Sequence, residues 1–324
     1  MLKAKIAIFL VSILFVGALS AGNLTAEQRA AKEKGIALYN QYKNGDKYLR
    51  IAAEAGDREA QYYLGESLRQ AGFVTEESYK WLAAAANQGD LYAMVRLAYH
   101  GGNLCSLANE CPEYAKTSSD WIVMFEREAK ARAAKGDAEA MYVLYLGISD
   151  FDWLEKSAEA GYPQAQYLLA MRYKEGEGPF QWPWNKSQRI EELIKKSAEG
   201  GSIDGMNQYM IIFQERGELE KARYWLVKMA EAGDARAIGE YAADLAHTPD
   251  NRLGFPLDLV KGYGLMSLLL KLDGGGSSKD FAEDVLPDIA AKMTPEQIEE
   301  AKVFAEEWKA SHPPLSYFPP KLGF

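Results

Sequence analysis

The sequence predicts an all-α solenoid of stacked helix hairpins, and three observations carry that prediction. First, one phrase recurs along the chain. Trp81–Asp90 reads Trp-Leu-Ala-Ala-Ala-Ala-Asn-Gln-Gly-Asp, and related versions end at Gly56, Gly161 and Gly233. Each has the form of a helix stopped by glycine, and in three of the four an aspartate follows that can cap the next helix. Second, counting from the glycines at 56, 89, 136, 161, 201 and 233 gives a common register. Four residues on stands a small residue: Ala60, Ala93, Ala140, Ala165, Gly205, Ala237. Eight on stands a large one: Leu64, Leu97, Leu144, Leu169, Tyr209, Tyr241. A spacing of four places both sets on one helix face. Third, an aromatic stands eight residues before the glycine in four units, as Tyr48, Trp81, Trp153 and Trp225, while Glu128 and Leu193 depart from it. A single hairpin cannot bury its apolar face, but stacked neighbours can.

In chain order, residues 1–21 read as a secretory leader, with Lys3 and Lys5 before the apolar run Ile6–Val16 and small residues at Ala18–Ala21. Thr25-Ala26-Glu27-Gln28 is a capping box that opens a helix to about Tyr42, followed by a short helix from Asp46 to about Ala55. Repeats then run to about residue 290. Gly56 to Gly89 is 33 residues and Gly201 to Gly233 is 32. The other spacings mark insertions at Gly101–Ser119, Glu175–Gln188 and His247–Asp258, and a shortened unit of 25 residues between Gly136 and Gly161. Gly274 ends a last, weak unit. Residues 291–324 form a capping helix opened by Thr294-Pro295-Glu296-Gln297, then an apolar tail with Leu315, Tyr317, Phe318, Leu322 and Phe324. The tail has two readings: it folds back on the last hairpin, or it is an arm that meets a partner.

The motifs Ala60-Gln61-Tyr62-Tyr63-Leu64-Gly65 and Ala165-Gln166-Tyr167-Leu168-Leu169-Ala170, with the Trp81–Asp90 helix end, resemble the Sel1-like repeat, a relative of the tetratricopeptide repeat. The resemblance spans roughly residues 25–275. It implies a right-handed superhelix and a role as a protein-interaction scaffold.

The formal net charge is −9, and without the two leader lysines 35 basic residues face 46 acidic ones. That balance disfavours nucleic acid and anionic membrane surfaces. The two cysteines, Cys105 and Cys111, share one insertion, and in an exported chain a disulfide between them is expected. His100, His247 and His312 stand outside any zinc-binding spacing. No Gly-x-Ser-x-Gly elbow, phosphate-cradling loop or Ser-x-x-Lys occurs. The expected function is therefore non-catalytic protein binding without cofactor or metal.

The partner-contacting residues are sought where related repeats place their ligands, on the first helix of each hairpin. The register selects Tyr62, Tyr142 and Tyr167, with Val95 and Asn207 at the same position, and then Glu66, Arg69, Tyr99 and Lys174. The tyrosines fit a packing role equally well. Phe180, Trp182 and Trp184, in the proline-containing insertion, either tuck under the neighbouring repeat or form a second candidate surface, and the Cys105–Cys111 loop is either a third or a stapled but idle insertion. The expected role is an exported, periplasmic immunity or inhibitor protein that occludes a toxic enzyme such as a phospholipase or cell-wall hydrolase. An envelope adaptor is the alternative, followed by a hydrolase on a repeat scaffold.

Overall fold

The computed structural model describes residues 24–70, 74–100, 115–178, 183–272, 277–319 and 321–322. The leader, Cys105, Cys111, Gly274, Phe180 and Trp182 lie outside them. The described residues form a right-handed α-solenoid of paired helices: α1 (Ala26–Tyr39) with α2 (Asp46–Glu54), α3 (Arg58–Ser67) with α4 (Glu76–Asn87), and α5 (Leu91–Val95, continued by a π-helical turn at Arg96–His100) with α6 (Ser118–Ala133). Then follow α7 (Ala138–Ile148) with α8 (Phe151–Glu159), α9 (Pro163–Glu175) with α10 (Pro183–Glu199), and α11 (Ile203–Glu215) with α12 (Leu219–Glu231). The stack ends with α13 (Ala235–Ala246), α14 (Leu259–Leu269), α15 (Ser277–Ala290) and α16 (Pro295–Ser311).

The recurring glycine is a backbone device. Gly56, Gly89, Gly136, Gly161, Gly201 and Gly233 all have φ between +84° and +92°, the left-handed region that ends a helix. The residue after it caps the next helix. The side chains of Asp57, Asp90, Asp137, Ser202 and Asp234 accept from the amides of Ala60, Ala93, Ala140, Gly205 and Ala237. Each such cap stabilises its helix by about 1 kcal/mol. At the sixth joint Pro163 occupies the first helical position and Tyr162 makes no side-chain cap.

The small residues set the helix separation. A Cβ at Gly65 would lie 2.6 Å from Leu82 Cγ, so α3 and α4 close to a distance that only glycine allows there. Leu49, Leu82, Leu154 and Leu226, each one residue after the recurring aromatic, are fully buried. The aromatics are less uniform: Trp81 is buried, while Tyr48, Trp153 and Trp225 are half-buried. Lysines cover three of them, with Lys34, Lys80 and Lys156 ammonium groups 4.3, 4.9 and 4.6 Å from the Tyr48, Trp81 and Trp153 ring centres. Two glutamines, five after the repeat glycine, tie successive hairpins: Gln61 and Gln166 donate to the Ala53 and Ala158 carbonyls at 3.1 Å.

Several sequence expectations are corrected. Residues 183–188 are not loop; they are the first turns of α10, a 17-residue helix. Trp184 therefore sits in a helix, with its proline neighbour at the start, where the missing N–H costs nothing. The helix from Thr25 stops at Tyr39, because Tyr42 takes φ +57°. The tail packs neither on the last hairpin alone nor free in solvent. From His312 it runs back to the α12–α13 joint, to the end of α1 and to α5. The superhelix also brings its two ends together, where the Lys43 ammonium donates to the Lys271 carbonyl.

Candidate partner-binding surface

The first helix of each hairpin lines the surface along which the tail runs, called the inner face below. Capping places carboxylates at its edge. Asp57, Asp90 and Asp137 stand at the starts of α3, α5 and α7, and Glu59 and Glu139 follow in their first turns. Lys32 answers Asp57 and Glu59 at 3.1 and 2.8 Å, Arg132 answers Asp137 at 2.7 Å, and Arg58 reaches Asp90 only at 4.0 Å. Burial pushes the Asp90 carboxyl above its usual range, against the Ala93 amide, Lys321 and Arg58, which favour the anion. Between these groups opens a cleft of about 460 Å³ lined by Lys32, Asp57, Arg58, Glu59, Gln88, Asp90 and Lys321.

A tyrosine array continues inward from the acidic edge. Tyr39 meets Tyr63, Tyr63 meets Tyr62, and Tyr62 meets Tyr92, with ring centres 5.1, 5.5 and 6.2 Å apart. The Tyr92 and Tyr162 hydroxyls lie 3.3 Å apart, and Tyr162 packs on Tyr142 at 5.2 Å. Burial holds these phenols neutral at any ordinary pH and pushes Tyr162 up to about 12. Beyond them, burial raises the Asp204 and Glu240 carboxyls.

The residues selected by register divide by depth. Tyr62 is core, only 1% exposed, and its hydroxyl has no hydrogen-bond partner among the described residues. Val95 is buried, while Tyr142, Tyr167 and Asn207 are half-buried. Tyr142 belongs to the array. Glu66 is not a surface carboxylate. With side chains 2% and 3% exposed, Glu66 and Arg96 form a two-pronged pair at 2.8 Å on each prong, joined by Arg69 at 3.2 Å. Arg96 also donates to the Leu322 carbonyl of the tail. Tyr99 is 37% exposed and stands edge-on to Phe125 at 6.1 Å, and Lys174 is exposed. The structure thus brings Tyr62, Glu66 and Arg69 together under the tail and leaves Tyr99 and Lys174 apart from it. Asp90, Tyr92, Glu139 and Lys321 were missed. Tyr92 and Glu139 stand three after a repeat glycine, one residue before the small residue of the register, so the repeat could have found them, whereas no local pattern points to Lys321.

A second concavity, of about 540 Å³, lies elsewhere between α10, α11 and α12, with Tyr209, Phe213 and Trp225 in it and Glu191, Arg216 and Lys221 at its rim. Its ion pairs are exposed and already matched, Arg216 to Glu191 at 2.5 and 2.7 Å. Among the described residues no cluster of His, Cys, Asp and Glu could hold a metal ion, and no helix is long and apolar enough to cross a membrane.

No family model matches the chain. The Sel1-repeat-containing protein YjcO of Escherichia coli K12 is 28% identical over 215 residues, covering 58% of this chain and 83% of that protein. Among solved structures, c5321, described as a protective antigen of uropathogenic Escherichia coli with an SLR fold, is 17% identical with a TM-score of 0.46. That comparison covers 89% of this chain, which spans 62% of that structure. The immunity protein PA5088 of Pseudomonas aeruginosa is 13% identical with a TM-score of 0.42, over 75% of this chain and 86% of that one. The repeated glycine-cap joint and the stacked hairpins, together with the similarity to YjcO, bear out the resemblance to Sel1-like repeat solenoids.

Proposed function

We propose that this chain is a non-catalytic, exported scaffold that binds and neutralises a toxic enzyme in the periplasm by presenting an acidic inner face to a basic surface of that enzyme. The observation that carries the reading is the cleft at the starts of α3 and α5. Asp57, Glu59 and Asp90 converge there, Asp90 is held out of its usual range by burial, and the nearest arginine to Asp90 is 4.0 Å away. A cleft of this kind gains by receiving a cation from outside, because a partner's Lys or Arg relieves the cost of keeping the desolvated Asp90 carboxylate charged. The excess of acidic residues, 46 against 35 basic ones without the leader lysines, adds steering: a basic partner is drawn in faster at low salt than at high salt. The leader and periplasmic location belong to the same proposal, as does the Cys105–Cys111 disulfide, which lies outside the described residues.

The test is coexpression with candidate basic enzymes of the periplasm, any enzyme found encoded next to this chain among them, followed by copurification and assay of the enzyme that binds. The proposal expects a stoichiometric complex with the enzyme silenced. An enzyme that remains fully active with this chain in excess, and no tight enzyme partner from the same compartment, would overturn it.

A further inference from the structure

The C-terminal tail is bound as a ligand is bound. It leaves α16 at His312, whose ring stacks on Trp308 at 3.7 Å, and Pro313-Pro314 then stiffens it. Ser316 joins the α12–α13 joint as one rung of a parallel bridge: its N–H donates to the Gly233 carbonyl at 2.8 Å, and its carbonyl accepts from the Ala235 N–H at 2.9 Å. Next, the Tyr317 N–H donates to the Asn40 carbonyl at 2.9 Å, and Gln41 Nε2 donates to the Leu315 carbonyl at 2.7 Å. The Tyr317 ring stacks on Tyr42 at 5.3 Å. Farther on, Lys321 places its ammonium 4.6 Å above the Tyr92 ring and 3.8 Å from Glu139. Leu322 is 2% exposed within the cluster that contains Tyr62 and Tyr92, and its carbonyl is held by Arg96. Backbone bonds hold the extended chain whatever its sequence, while one acidic and one apolar seat read two adjacent side chains. That division is the one by which extended peptides are recognised.

We propose that the tail is an intramolecular stand-in, and that its groove takes from the partner an extended segment in which a basic residue immediately precedes a large apolar one. The inference rests on the scaffold reading above and names the segment that the inner face reads. Two observations favour exchange over a permanent seam. The tail fills its seat imperfectly: the Tyr62 and Tyr317 hydroxyls are buried without hydrogen-bond partners among the described residues. The seated tail also leaves the adjacent cleft of about 460 Å³ open, where Lys32 pairs with Asp57 and Glu59 but Arg58 reaches Asp90 only at 4.0 Å. Because the occupant is extended chain beyond the end of α16, it can peel away without unwinding a helix. While it is seated, it competes at the high effective concentration of a tethered ligand, and an outside segment binds only to the fraction of molecules with the groove free.

The test uses the full chain and a labelled peptide with the sequence of residues 313–324, followed by fluorescence anisotropy. Against the native protein the peptide meets an occupied groove. Against the full-length Leu322→Asp variant, whose own tail cannot seat its apolar anchor, it binds at least about tenfold more tightly. A peptide carrying Lys321→Glu loses that gain. Equal affinity for the native protein and the variant overturns the proposal, as does indifference to Lys321→Glu. Loss of helical circular dichroism in Leu322→Asp also overturns it, since the tail would then be core and not an occupant. If the peptide results fail while the enzyme of the preceding section is still silenced, the groove inference falls and the scaffold reading stands.

Discussion

Replacing Glu66 by glutamine isolates the charge beneath the tail. The change keeps the shape and one acceptor but leaves the Arg96 guanidinium, whose side chain is 3% exposed, without its anion. Both original hydrogen bonds are 2.8 Å, and the site is too buried for solvent to make up the loss. Removing one member of a buried pair costs about 3–5 kcal/mol, and the retained amide acceptor places Glu66→Gln near the lower end, about 3 kcal/mol. The double variant Glu66→Leu/Arg96→Met removes both charges together, and also the contact that Arg69 makes to Glu66 at 3.2 Å. It should be less destabilised than Glu66→Gln, the residual being the lost bond to the Leu322 carbonyl and the lost Arg69 contact. Urea unfolding followed by far-ultraviolet circular dichroism measures both. A Glu66→Gln chain within about 0.5 kcal/mol of native, or a double variant worse than the single one, would refute the assignment of this pair as a buried and mutually dependent unit.

Further predictions test the joints and the acidic edge. Gly89→Ala meets no atom within 4 Å, so its cost is the left-handed backbone alone, about 1–2 kcal/mol. Gly65→Ala drives a methyl against Leu82 and should cost about 1–3 kcal/mol by displacing α4; thermal melts of the two variants, with the Leu82→Ala background relieving only the second, separate the causes. Asp90→Asn keeps a good helix cap but removes a carboxyl whose folded pKa is raised by burial from 3.8. Such a group opposes folding once the unfolded chain ionises, so the variant's stability relative to native should be smallest near about pH 3.5 and grow as pH rises toward about 6. Calorimetric melting temperatures at the two pH values check this, and a difference that shrinks with rising pH would contradict it. An exported chain cut after Ala21 begins at Gly22, which the intact mass of periplasmic protein reports; a retained Met1 would contradict export by cleavage.

Much of the fold was legible because its signals are local and repeated. A glycine at φ near +90° and a capping aspartate recur at fixed spacing, so Gly56-Asp57, Gly89-Asp90, Gly136-Asp137 and Gly233-Asp234 could be read as joints from sequence. The site was legible only in part. The register led to Tyr62, Glu66 and Tyr142, but it could not distinguish a half-buried tyrosine from a core one, or see that Glu66 is claimed by Arg96, thirty residues away. The tail was less legible still. Its partners Asn40, Gln41, Arg96, Glu139 and Gly233 are distant in sequence, and although Glu139 and Gly233 stand at repeat positions, no period in the tail itself points to them. Its apolar composition marked it as having something to bury against without saying where. The insertion at 175–188 was misread for the opposite reason. Proline and aromatic residues suggested a loop, whereas Pro183 opens a helix that tertiary packing then extends.

In the proposed function, the acidic inner face captures a basic partner enzyme and silences it. The most direct measurement is an activity titration of the enzyme that copurifies with this chain, repeated with the charge-reversed Asp57→Lys/Glu59→Lys chain and at rising salt. The account predicts that activity falls linearly to zero at one equivalent of the native chain. It also predicts association that slows as salt rises and is at least about tenfold slower for the charge-reversed chain. Full enzyme activity in excess native chain, or inhibition indifferent to both salt and charge reversal, would contradict it.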